Sequence, residues 1–349
     1  MDACPALRRR ESAGRVRATR YVALGDSYAA GVGGAARRNA CWRADDGYPV
    51  QVARRLGLDV AYNACLGAVV ADVLAHQLAP LGPDTTHVSV TVGGNDIGFV
   101  PVLIAAAEPG WMANSDVSID HALIAMRQVL PGRLDQLFAE VTGRAPNAYV
   151  VATAYPRLFN GVDCNLATFF SPHEMERLNA AADELGSVIA AAARRAGIRY
   201  AGVGTRFAGH AVCDDPEWIN GVSWPVEGSF HPNSLGHNAY ADVVASALAA
   251  KGISPEAGAA VEIVEGPCVP GSAPTFSIPD LLSARSLDGA REYGLDPAEV
   301  ERLARQLYAG LDAAQGALRP SEETYAAAAR LAELDAVARA RRGEVKMDG

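Results

Sequence analysis

Tyr21-Val22-Ala23-Leu24-Gly25-Asp26-Ser27-Tyr28 is the stretch on which the rest of the chain turns. A short apolar run stops abruptly at Gly-Asp-Ser, as a buried parallel strand does when it delivers a polar residue to the top of a sheet. A serine there has an exposed hydroxyl and a free backbone N–H, because the next helix has only just begun. Alone, the tripeptide reads equally as a turn followed by a helix cap. Three further blocks follow it in order. Gly67 lies in Asn63-Ala64-Cys65-Leu66-Gly67-Ala68, Gly93-Gly94-Asn95-Asp96 closes another apolar run, and Ser229-Phe230-His231-Pro232-Asn233 comes near the end of the alternating pattern.

Outward from Ser27, five segments read as buried parallel strands: about 19–24, 58–63, 86–92, 148–154 and 198–203. They are short and rich in Val, Ala and Tyr, with helical patterns between them. Val50 to Leu56, Val69 to Leu78, Ile119 to Val141, Pro172 to Ala196 and Ser234 to Ala250 supply the helices. Strand–helix alternation with short loops predicts a three-layer α/β/α sandwich with right-handed crossovers. Chemistry in such sheets collects at the carboxyl ends of the strands, which puts Ser27, Gly67 and Asn95 on one rim, with His231 reaching it from a loop.

The four blocks, in this order, resemble the SGNH (GDSL-type) hydrolase family over about residues 19–250. Gly-Asp-Ser-Tyr-Ala-Ala-Gly, Gly-Gly-Asn-Asp-Ile-Gly-Phe and Phe-His-Pro-Asn look most like its secreted actinobacterial esterases and lipases. The resemblance implies a flavodoxin-like, five-stranded parallel sheet and a carboxylic-ester hydrolase working through an acyl-enzyme. It casts Ser27 as nucleophile and His231 as general base. The Ser27 N–H, the Gly67 N–H and the Asn95 amide become the oxyanion donors, where one lost donor costs about a hundred- to a thousandfold in rate. Gly67 fits that role because a side chain would crowd the substrate. Asp26 and Asp96 read as loop fasteners, and His237 as structural.

One position departs from the family pattern. Most members carry Asp three residues before the histidine, and here that residue is Gly228. The expectation is a Ser27–His231 dyad steered by the Gly228 carbonyl, with Glu227, one residue off register, as the alternative third member. The resemblance also implies disulfides Cys41–Cys65 and Cys164–Cys213, with no middle pair and with Cys4 and Cys268 left over. Six reduced thiols remain the other reading.

The composition bounds the function class. Half of the 349 residues are hydrophobic and a fifth are charged, as in a globular protein, and the net charge of −9 argues against a nucleic-acid partner. No apolar run spans a bilayer and the basic start carries no apolar leader, which reads as cytoplasmic; with a true leader missing and the two cysteine pairs oxidised, it reads as secreted. No cysteine–histidine spacing suits a metal, and a serine mechanism needs no cofactor. The expected organisation is a disordered basic tail (1–18), the hydrolase domain (19–250), a Pro- and Gly-rich linker or wrap (251–277) and a helical extension (278–349) of unknown partner. The substrate is then a small-molecule or lipid ester. Acyl transfer to an acceptor other than water would use the same residues, and a non-catalytic binding module docking through the C-terminal helices is the reading from another class.

Overall fold

The computed structural model describes residues 21–249, 261–314 and 320–347; the tail expected at 1–18 and Cys4 lie outside the described residues. Strand β1 (Tyr21–Gly25) is buried along its whole length. Tyr21 and Ala23 enter one apolar layer and Val22 and Leu24 the other, so the strand alternates between two cores. The remaining strands are β2 (Val60–Tyr62), β3 (His87–Thr91), β4 (Tyr149–Thr153), β5 (Arg199–Ala201) and β6 (Ile263–Glu265). All pairings are parallel, in the order β5-β4-β3-β1-β2-β6. The first five strands follow the flavodoxin-like order, with its switch point beside β1.

The connections carry helices α1 (Ser27–Ala30), α2 (Tyr48–Leu56), α3 (Val70–His76), α4 (Phe99–Ala107), α5 (Ser115–Gln128), α6 (Leu130–Arg144), α7 (Pro172–Arg195), α8 (Gly204–Phe207) and α9 (Ser234–Leu248). Apolar residues of α2, α4 and α9 fill one layer and those of α3 and α6 the other, while α7 feeds both, Met175 and Leu178 into the first and Leu185 and Ile189 into the second. Cys41 is bonded to Cys65 and Cys164 to Cys213. No cysteine among the described residues, Cys268 included, is free.

The structure corrects two expectations. The sheet has six strands, not five, because Ile263–Glu265, inside the stretch read as a linker, pairs with β2 in the register Val60↔Ile263. The helix expected over 119–141 is two helices, since Pro131 falls in the first turn of α6, where its missing N–H is no loss. The apolar run Phe99 to Ile104 belongs to α4.

Beyond the sheet, α10 (Ala284–Glu292), α11 (Pro297–Ala314) and α12 (Glu322–Met347) gather their own apolar cluster. Asp296 caps α11 by accepting from the Ala298 N–H at 3.0 Å. The cluster includes Trp111 and Phe169, and Arg285 pairs with Glu108 at 2.8 Å, so these helices are fastened to the outer end of α4.

Candidate active site

β1 ends in a residue that has to be glycine. Gly25 sits at φ +137°, and a Cβ there would lie 2.0 Å from the Thr91 carbonyl oxygen. Gln77 holds the Gly25 backbone from both sides, accepting from its N–H at 2.7 Å and donating to its carbonyl at 2.9 Å. Asp26 caps α1 by accepting from the Tyr28 N–H at 3.0 Å, which leaves Ser27 as the first helical residue. The Ser27 N–H has no acceptor among the described residues.

His231 comes from the loop ahead of α9. Phe230 takes a left-handed backbone, φ +58°, and its carbonyl accepts from the Tyr28 hydroxyl at 2.9 Å. This turn brings His231 Nε2 to 2.8 Å from Ser27 Oγ. On the far side of the ring, Nδ1 lies 2.9 Å from the Ser229 carbonyl oxygen. A carbonyl only accepts, so Nδ1 carries the proton and Nε2 presents a lone pair to the serine hydroxyl. Burial lowers the imidazole pKa to about 4, against the opposing pull of the Ser229 carbonyl. The ring is therefore neutral at pH 7.

Both candidates for the orienting group are displaced by this geometry. The Gly228 carbonyl accepts from Asn220 Nδ2 at 3.2 Å instead of from the imidazole. The group on Nδ1 is the carbonyl one residue further on, and no Glu227 carboxylate occupies that position. The left-handed turn at Phe230 is the cause, since it folds the ring back over its own chain onto Ser229.

Gly67 sits at φ +73°, and a Cβ there would meet the Ala273 and Gly271 carbonyl oxygens at 3.0 and 3.3 Å. Here the crowding comes from the chain itself, not from the substrate side. Its N–H, like that of Ser27, has no acceptor among the described residues. Asn95 opens a 3-10 turn and donates one amide hydrogen to the Ala68 carbonyl at 3.0 Å, which keeps the other hydrogen free. Asp96 fastens loops, accepting from the Val70 N–H at 3.0 Å and from Arg133 at 2.9 Å. His237 is fully buried with Nε2 3.1 Å from the Val32 carbonyl.

Ser27, Gly67, Asn95 and His231 all line one cleft of about 820 Å³ including its open mouth. Its walls are largely apolar, with Ile97, Val100, Leu103, Leu158, Phe230 and Phe276 among the lining residues. Two contributors escaped the sequence. Tyr155 donates to Asp26 Oδ2 and accepts from the Gly94 N–H at 3.1 Å, joining the first and third blocks. Pro274-Thr275-Phe276, from the stretch after β6, also line the cleft. Tyr155 follows a strand, as the block residues do, which was the one available signal; nothing in the Pro- and Gly-rich stretch announced the second.

The profile of the GDSL-like Lipase/Acylhydrolase family matches residues 23–239. The chain belongs to that family. It is a carboxylic-ester hydrolase, and its similarity to individual members extends along nearly two-thirds of its length. A lipase of Streptomyces rimosus is 39% identical over 232 residues, 65% of this chain and 85% of that protein. The crystal structure of the extracellular lipase from the same organism superimposes with a TM-score of 0.61 at 37% identity, covering 65% of this hydrolase and 98% of the lipase. The phospholipase A1 of Streptomyces albidoflavus NA297 gives 0.60 at 36% identity, with the same coverage of each chain. Nearly the whole of each solved relative is thus matched by about two-thirds of this hydrolase.

Proposed function

We propose that Ser27 is the nucleophile and His231 the general base in the hydrolysis of fatty-acyl esters, of the kind a lipase or phospholipase cleaves. As Oγ bonds to the ester carbonyl carbon, its proton passes to His231 Nε2. The Ser27 N–H, the Gly67 N–H and the free Asn95 amide hydrogen receive the oxyanion. The carbon–alkoxide bond then breaks, Nε2 returns the proton to the leaving alcohol, and water repeats the sequence on the acyl-enzyme. The Ser229 carbonyl steers the ring and holds its tautomer; as a neutral acceptor it stabilises the imidazolium less than a carboxylate would.

One observation carries this reading: a serine hydroxyl 2.8 Å from a neutral imidazole, on an apolar cleft, beside two backbone donors with no acceptor among the described residues. The apolar walls favour an acyl chain over a polar substituent. The disulfides, together with a solved relative that is extracellular, support an exported enzyme. We take residues 21–283 as the catalytic unit, wrap included, and 284–347 as an appended helical body.

A fluorophosphonate probe should label Ser27 alone. A panel of p-nitrophenyl esters of graded chain length, run beside a phospholipid, should show turnover that rises with chain length. Labelling at another residue, or undiminished activity in Ser27→Ala, would remove the assignment.

A further inference from the structure

The segment that follows β6 lies beyond the family match, which stops at residue 239. It nevertheless runs directly against the Gly67 loop. The Gly271 N–H donates to the Leu66 carbonyl at 2.9 Å, and the Ala273 N–H donates to the Gly67 carbonyl at 3.2 Å. Approach is so close that a Cβ on Gly271 would sit 2.0 Å from the Gly67 carbonyl oxygen, so no side chain can stand there. From the other side the Leu66 N–H donates to the Cys41 carbonyl at 3.1 Å.

Both ends of the segment are anchored. Arg43 is fully buried, and its guanidinium donates to the Gly266 and Pro267 carbonyls at 2.8 and 2.9 Å. The same group donates to the Asn63 and Ala64 carbonyls at 3.2 and 2.9 Å, which tie it to the loop carrying Gly67. At the other end Phe276 is buried edge-on against Phe230, with ring centroids 4.9 Å apart, next to His231 in sequence.

The Leu66 carbonyl and the Gly67 N–H belong to one planar trans peptide, so they point in opposite directions. Whatever fixes the carbonyl fixes the N–H. We propose that residues 266–276 form a positioning strap for the oxyanion site: Gly271, by holding the Leu66 carbonyl, aims the Gly67 N–H away from the strap and at the substrate carbonyl oxygen. The inference rests on Gly67 being an oxyanion donor, as proposed above. It assigns to this chain a positioning residue, Gly271, outside the residues that the family profile matches.

The test is Gly271→Ala in the full chain, with steady-state kinetics on a p-nitrophenyl ester and the inhibition constant of an acyl trifluoromethyl ketone, whose serine adduct carries the oxyanion. The expected result is a fall in kcat of about ten- to a hundredfold, short of the full loss of a donor. KM should change by less than about threefold, as befits an interaction made only in the transition state. The ketone should weaken in step with kcat/KM, and the acid limb of the pH profile should stay in place because His231 is untouched. Should Gly271→Ala not fold, Ala273→Pro, which deletes the second strap bond, is judged by the same readouts. A folded variant with wild-type kcat and ketone affinity overturns the strap. Ser27→Ala and Asn95→Ala run in parallel: if both are inactive or severely slowed while the strap variant is normal, only the strap inference fails. If Ser27→Ala stays active, the site assignment fails and the strap with it.

Discussion

Asp26→Asn should make the protein more stable relative to wild type as the pH rises. Asp26 is 2% exposed, and burial raises its pKa from 3.8 to about 7 although the Tyr155 hydroxyl and the Tyr28 N–H both favour the charged form. The unfolded chain loses this proton near pH 4, whereas the folded chain keeps it until near 7. Between those values the folded state binds the extra proton, so this carboxyl's contribution to wild-type stability is fully present below pH 4 and is lost as the folded carboxyl ionises. The whole difference amounts to about 4 kcal/mol, a large part of a typical domain's stability. Asparagine has no charge to bury and keeps an oxygen for the Tyr28 N–H. Urea unfolding of both proteins from pH 4.5 to 8, followed by tryptophan fluorescence, should give a stability difference that grows with pH in favour of asparagine. Taking the difference cancels the titration of groups that do not feel the Asp26 charge; Asp96, whose charge helps raise the Asp26 pKa, is coupled to it. A difference that stays flat over this range would show that Asp26 is ionised throughout, and the reasoning from burial would fall.

Four further outcomes are expected. The acid limb of kcat/KM, followed by pH-stat titration, should centre near pH 4, where His231 takes up its proton, and a limb near 6.5 would contradict the burial of the ring. Glu227→Gln should leave kcat/KM within about twofold of wild type, because the Ser229 carbonyl occupies Nδ1; a loss of orders of magnitude would restore the carboxylate as third member. Breaking Cys41–Cys65 by a Cys→Ser pair should lower the unfolding free energy by about 3 kcal/mol for its 24-residue separation, and an unchanged melting temperature would refute this. Phe276→Ala should lengthen the acyl chain accepted on the p-nitrophenyl ester series, and an unshifted optimum would mean that this ring does not bound the acyl site.

What the sequence revealed of the site follows from where its residues sit. Ser27, Gly67 and Asn95 each come directly after an apolar strand, so a two-layer core and a rim of polar turns were readable from alternation alone. The orienting carbonyl was not. Gly228 and Ser229 differ by one peptide, and choosing between them depends on the left-handed backbone of Phe230, a residue type whose side chain gives no hint of positive φ. β6 was hidden for another reason. Three residues, Ile-Val-Glu, are too few to show a period, and they become a strand only because β2 offers an unpaired edge. Tyr155 and Gln77 each act through two side-chain hydrogen bonds to turns distant in sequence; the place of Tyr155 after a strand hints at the rim, but no local pattern encodes the partners of either.

Arg43 has a consequence for how the protein comes into being. Its guanidinium is satisfied by two carbonyls from the loop before Gly67 and two from residues that leave the ribosome more than two hundred positions later. Until those late residues arrive, the nascent chain carries a cation with half its partners missing and an open edge on β2, a surface that invites pairing with a neighbouring chain. Ser27 is made more than two hundred residues before Gly266, yet the socket beside it closes only when residues 266–276 have been synthesised. Trimming the gene back to residue 239, where the family match stops, would therefore not release a minimal enzyme. It would freeze the chain at the stage of its biogenesis when it is most exposed to aggregation.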